Sequence, residues 1–249
     1  MILHYGVQLL TEKVPVNEKI AERKTIVYRT LVDPTVVKIA GEKLKNKLFV
    51  RFGFLKPKPE EIQFVSIDKY YAPYILISAK YMIDYCRTCA YTINVEAKVR
   101  EVTLLNQKFK PEETKDPSSM GYKLIKLDGE ENLLYEDKAS LILDKSGREV
   151  PLEQLPSAPS EEHPEKMLVE LGDKAKKLEI APDADLDIVR SRVVKRPENI
   201  KRIAHELFEV DERALIYTPI YEVLFRNVKT GEEKAIELDG VTSKRIQQK

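Results

Sequence analysis

Cys86-Arg87-Thr88-Cys89 is the stretch of this 249-residue chain whose residue types and spacing come closest to chemistry. Two thiolates at this spacing can form one edge of a tetrahedral zinc site, or a redox pair when the first opens a helix and its pKa falls. Zinc takes four ligands, and these are the only two cysteines in the sequence. The three histidines, His4, His163 and His205, lie far apart and form no HxxxH pair. Zinc at Cys86 and Cys89 would therefore have to be shared across a dimer or with a distant histidine. The other reading is a structural pair, as free thiols or as a disulfide. A turn expected around Asp84–Thr88 puts the motif in or beside a hairpin, where a helix start would not lower the thiol pKa.

Other catalytic signatures are missing from the sequence. It contains no GxSxG elbow, and no GxxxxGK[ST] or GxGxxG loop to cradle a phosphate. Its nine glycines read mainly as turn residues. His205, between Ala204 and Glu206 on an expected helix, is expected on a surface or at its boundary. The carboxylates are interleaved with Lys and Arg, as on solvated faces. The expectation leans away from an enzyme and toward no cofactor.

A binding surface has more support. Tyr70, Tyr71, Tyr74, Tyr81, Tyr85 and Tyr91 are denser than core packing requires, and Lys69, Lys80 and Arg87 lie among them. Tyrosine offers an apolar body and a polar tip, which suits a wet interface. The alternative is sheet packing with the hydroxyls reaching solvent. Phe49-Val50-Arg51-Phe52-Gly53-Phe54 adds Arg51 to the candidate surface. It resembles the base-stacking strand of RNA-recognition domains in composition but not in order, and its alternation fits a core strand.

Charge is zoned. Residues 1–110 hold 19 Lys+Arg against 11 Asp+Glu, residues 111–190 hold 11 against 20, and residues 191–249 hold 12 against 10, for a net +1. A basic face for nucleic acid is one reading of this zoning, and two mutually attracting solvated faces is the other. Hydrophobic residues make up 43% of the chain, enough for a core. No apolar run reaches the roughly 18 residues of a membrane helix, and MILHYGVQLL does not read as a signal peptide, so a cytoplasmic location without membrane attachment is expected.

The elements that must position these residues read as an α+β chain. Strands are expected at 1–10, Thr25–Val32, Leu48–Leu55, Ile75–Ala79, Tyr91–Val95, Ile188–Val194, Tyr217–Phe225 and Ala235–Leu238. Asp33-Pro34 reads as an N-cap followed by a first-turn proline. Helices are also expected from Pro59-Glu60-Glu61-Ile62, across 161–177, and from Pro197-Glu198-Asn199-Ile200. Residues 121–152 read as a small β-meander turning at Asp128-Gly129 and Ser146-Gly147. This gives a basic N-terminal domain at 1–110, a linker with the meander at 111–160, and a C-terminal domain at 161–249.

One reading of these elements is an internal repeat, and the other is convergent strand and helix-start chemistry. Pro59–Ile62 matches Pro197–Ile200, Tyr71-Ala72-Pro73 matches Tyr217-Thr218-Pro219, and Ile93–Glu96 matches Ile236–Asp239. The order implies two related β-α-β-β-β units with small antiparallel sheets, at about 48–105 and 186–246. Each closes on alternating apolar residues, an acid and a tight turn, as in Glu237-Leu238-Asp239-Gly240-Val241-Thr242. This closing pattern resembles PepSY-like and cystatin-like modules, with Ser243 where the PepSY pattern prefers Gly. The resemblance implies binding or regulation. With abundant Lys and Glu, no Trp and two Cys, the chain as a whole resembles archaeal, hyperthermophile-like proteins. The function expected is a non-catalytic protein-binding or assembly role, with a protein partner or self-association. The alternative is a nucleic-acid- or ribosome-associated factor using the basic N-terminal region.

Overall fold

Among the described residues, three strands are far longer than the common five or six residues. The computed structural model describes residues 17–50, 57–113 and 121–246. In chain order the elements are β1 (Asn17–Ile20), β2 (Lys24–Val27), α1 (Pro34–Leu48), β3 (Ile62–Glu96), β4 (Val102–Leu104), β5 (Gln107–Phe109), β6 (Glu112–Glu113), β7 (Tyr122–Leu143), β8 (Glu149–Val150), α2 (Pro164–Leu171), α3 (Ala184–Val193), β9 (Ile200–Asn227) and β10 (Glu233–Asp239). The architecture is mixed α+β. One sheet has the order β1-β9-β3-β7-β6, with β2 and β10 also on β9 and β8 also on β7; β4 and β5 form a separate hairpin.

The chain divides into two units, each assembled from three segments. The first holds Met1–Glu18, Tyr81–Asp137 and Val194–Phe208, and the second holds Lys19–Lys80, Lys138–Val193 and Glu209–Lys249.

In the second unit, Asp33 caps α1 as read from the sequence: its side chain accepts from the Thr35 N–H at 2.7 Å, and Pro34 follows where its missing N–H costs nothing. Helix α1 presents Val37, Ala40, Leu44 and Leu48 to Tyr221, Val223, Phe225, Ile236 and Leu238 on β9 and β10. The approach is close. A Cβ on Gly41 would lie 3.2 Å from Val223 and 3.3 Å from Phe225, so this helical glycine is there to admit the sheet. The Thr230-Gly231 hairpin forms as expected, with Gly231 at φ +72° and its N–H on the Asn227 carbonyl at 2.8 Å. The Asp239-Gly240 turn forms too, and the Asp239 carboxylate accepts from the Val241 and Thr242 backbone at 2.9 and 2.6 Å.

Several expected elements differ. Pro59–Glu61 makes only a single 3-10 turn before β3. From Ile62 the sequence alternates, and burying Ile62 with Phe64 against the β9 core outweighs continuing the helix. At the matching segment, Asn199 takes φ +60°, which ends any helix, and β9 begins at Ile200. Residues 188–194, expected as a strand, belong mostly to α3, because Leu186, Val189 and Val193 recur at helical spacing and are buried. The expected 161–177 helix shortens to α2 and a 3-10 turn at Gly172–Lys174. Helix α3 is pinned to β9 by Arg213, only 8% exposed, whose Nε and Nη2 donate to Asp185 (1% exposed) at 2.6 and 2.7 Å.

In the first unit β3 runs straight through 84–88, where a turn was expected. Tyr81, Ile83 and Tyr85 keep the alternation of buried residues going. Strand β7 likewise passes through Asp128-Gly129 without turning. Gly129 is needed for another reason: a Cβ there would lie 2.9 Å from the Tyr91 ring. Beneath this layer, the buried Glu206 carboxylate takes the Tyr81 hydroxyl at 2.7 Å and the Arg196 guanidinium through Nε at 3.0 Å and Nη2 at 2.5 Å. The expected strands at 1–10 and over 51–55 lie outside the described residues.

Candidate functional site

The second unit carries a cleft of about 910 Å³, and three of the residues singled out from the sequence, Lys69, Tyr70 and Tyr74, line it. Strand β3 supplies these, the hairpin of β9 and β10 supplies Glu222 and Glu237, and the turn after β7 supplies Lys145 and Arg148. Each is placed by a local rule. The Thr230-Gly231 turn fixes the β9–β10 register so that Glu222 stands directly opposite Glu237. Both lie on the face away from the Tyr221, Val223, Ile236 and Leu238 core. The Ser146-Gly147 turn forms as expected, with Gly147 at φ +80° and Asp144 accepting from the Ser146 and Arg148 backbone at 2.9 and 3.0 Å.

Tyr70 links the walls. Its hydroxyl donates to Glu237 Oε1 at 2.7 Å, and the Lys176 ammonium stands 5.4 Å from its ring centroid. Burial, and then the bond to Glu237, push the Tyr70 phenol far above its ordinary pKa. Burial pushes Tyr74 up to about 12. Both phenols therefore stay protonated at neutral pH and act as donors and apolar faces. Asp144 is held below the ordinary aspartate range: burial alone would raise it, but the Ser146 and Arg148 hydrogen bonds outweigh that. The described residues lining the cleft include carboxylates, lysines, an arginine and two tyrosines, which offer hydrogen bonds, charge of both signs and ring contact.

The other candidates go elsewhere. Tyr71, Tyr81 and Tyr85 are buried core residues. Tyr71 meets Thr30 Oγ1 at 3.2 Å, and Lys69 donates to the same hydroxyl at 3.3 Å. Lys80 pairs with Glu209 at 2.7 Å. Arg87 grips Glu131 through Nε and Nη2, both at 2.8 Å, with the exposed Tyr91 hydroxyl on the same carboxylate at 3.0 Å. Arg51 lies outside the described residues.

Cys86 and Cys89 are both free thiols on β3. Three residues apart on a strand, they point to opposite faces. Cys86 is buried and contacts Glu130 at 3.3 Å, while the Cys89 sulfur lies on the Gly129 side with Tyr91. The two sulfurs are therefore not presented to a single ion or to each other. Among the described residues no group of three or more His, Cys, Asp and Glu is placed to hold a metal.

Glu222, Glu237 and Lys176 were not singled out from the sequence. A signal for the first two existed, since counting outward from the Thr230-Gly231 turn makes them cross-strand partners on the solvent face. Lys176 had none, because its place depends on the bridge between Ala175 and Tyr71. Among the described residues no helix is long and apolar enough to cross a membrane. Comparison with protein-family models, with curated proteins and with solved structures returns no match.

Proposed function

We propose that this is a non-catalytic, cytoplasmic protein-interaction protein whose cleft takes an extended, basic segment of a partner polypeptide. The observation that carries this reading is the Glu222–Glu237 pair beside Tyr70 and Tyr74. Both carboxylates line the cleft, and a ligand cation there would meet their charge while resting against the Tyr70 ring. The cleft volume suits a few residues of chain, being at the upper end of the roughly 300–1,000 Å³ typical of ligand sites. Lys176, poised over Tyr70, is the side chain such a cation would displace.

The matched Pro-Glu-x-Ile segments, which both lead into a long strand, support a duplication in which β3 and β9 are equivalent. The nucleic-acid reading is weakened by the pairing of Lys80 and Arg87 with carboxylates.

Fluorescence anisotropy with labelled Lys-rich, Glu-rich and RNA oligomers tests the proposal. The Lys-rich peptide should bind, and the double change Glu222→Gln with Glu237→Gln should abolish binding. Equal binding of the Glu-rich peptide, or a preference for RNA, would exclude it.

A further inference from the structure

We propose that the β4–β5 hairpin docks the protein onto an anionic lipid surface, with the Leu105 side chain entering the bilayer at its tip. The whole hairpin lies within the first unit and forms a sheet of its own. Leu104 stands opposite Gln107, so Leu105 and Asn106 are the two turn residues. Leu105 is 98% exposed, more than any other large apolar side chain among the described residues.

The backbone adds a second, independent observation. Leu105 and Asn106 sit at φ +50° and +62°, the type I′ geometry that two-residue hairpins favour. Asn and Gly adopt this left-handed region readily, whereas a leucine Cβ crowds its own backbone there. Asn or Gly at position 105 would therefore serve the stability of the hairpin better. Leu105 buries almost nothing against the chain, so neither turn geometry nor core packing accounts for it. A strained backbone that holds an apolar side chain out in water points to an apolar partner.

Charge around the hairpin selects that partner. Lys98, Arg100, Lys108 and Lys110 are all exposed. Residues 97–111 contain one acid, Glu101, which pairs with Lys108 at 2.8 Å. The next acids on either side, Glu96 and Glu112, belong to β3 and β6 of the main sheet, and Glu112 pairs with Lys126 at 3.2 Å. An apolar tip among cations matches the acyl boundary and the charged headgroups of an anionic bilayer. A polynucleotide offers the same charge, but its bases stack on rings, and this tip is aliphatic. Such a surface contact needs no long apolar run in the chain. It is independent of the cleft, and neither proposal depends on the other.

Co-sedimentation of the full chain with vesicles of phosphatidylcholine, alone or mixed with phosphatidylserine, tests it. Binding to the mixed vesicles, and little to the neutral ones, is expected. Leu105→Asn suits the turn better, so it should raise the thermal midpoint while lowering vesicle binding about tenfold or more. Lys110→Gln should lower binding about fivefold, the contribution of one cation at such a surface. The chain has no tryptophan, so Leu105→Trp places a lone reporter at the tip, and its emission should shift to the blue on mixed vesicles. Failure to bind mixed vesicles overturns the proposal, as does equal binding to neutral ones or binding that Leu105→Asn leaves unchanged. Quenching of the tip tryptophan by an RNA oligomer, with no shift on vesicles, would overturn it in favour of nucleic acid.

Discussion

Glu222 on β9 and Glu237 on β10 stand directly opposite each other in the hairpin register, and the Tyr70 hydroxyl reaches across from β3 to Glu237 at 2.7 Å. In the function proposed above, these carboxylates beside a phenol donor are the place for a ligand's cation. That combination is why the cleft, more than the tyrosine-rich core, is the candidate for binding.

Glu222→Gln should raise the midpoint of thermal unfolding, since removing the cross-strand repulsion is worth about 0.2–1 kcal/mol. Tyr70→Phe should lower it, because a hydrogen bond to a charged acceptor contributes about 1.5–3 kcal/mol. Differential scanning calorimetry separates the two signs. A fall in both variants would mean that the carboxylate pair is already compensated by cations of the chain.

Arg213 and Asp185 behave as a unit. Arg213→Ala leaves a carboxylate 1% exposed without its bidentate partner and should cost about 3–5 kcal/mol in urea unfolding. Adding Asp185→Leu should recover much of that loss, because two apolar groups can replace a buried ion pair. If the double variant lost as much as the two single changes added together, the pair would be uncoupled.

Gly129 should show a sign that depends on its neighbour. Gly129→Ala pushes a Cβ to within 2.9 Å of the Tyr91 ring, displaces the ring and loosens its bond to Glu131, at an expected cost of about 1 kcal/mol. In a Tyr91→Ala background the same change should stabilise by about 0.5–1 kcal/mol, as alanine ordinarily does over glycine in a strand. Identical effects in both backgrounds, measured by chemical denaturation, would remove Tyr91 from the explanation.

Acid should weaken the fold through named carboxylates. The Thr35 backbone N–H holds Asp33 below the ordinary aspartate range, the Arg213 hydrogen bond does so for Asp183, and the Lys229 hydrogen bond holds Glu61 below the ordinary glutamate range. Groups with depressed folded pKa values stabilise fully above their unfolded values, near 4, and lose that contribution as pH falls through the folded ones. The urea midpoint should therefore be level from about pH 7 to 5 and drop below about pH 4. Asp33→Asn keeps a cap but not the charge, and should shallow that drop. A slope unchanged in this variant would assign the acid sensitivity to other groups.

The sequence by itself determined the features whose causes are local. Asp33-Pro34 makes its cap with the backbone two residues on, and the Ser146-Gly147 and Thr230-Gly231 turns need only a glycine at positive φ. The α+β class and the pairing of Tyr217–Phe225 with Ala235–Leu238 follow from alternation on either side of such a turn. Tertiary structure decided the rest. Pro59 and Pro197 look alike as helix starts, but Ile62 and Ile200 open long strands because sheet partners reward alternation more than a short helix would. Asp128-Gly129 is a turn by composition and a strand in fact, since Tyr91 comes from 38 residues away in sequence to cover the glycine. The same holds for the site. Lys69, Tyr70 and Tyr74 were visible as types, whereas their sharing a cleft wall, which Tyr71, Tyr81 and Tyr85 do not line, and their meeting with Glu222, Glu237 and Lys176, depend on which strands lie side by side.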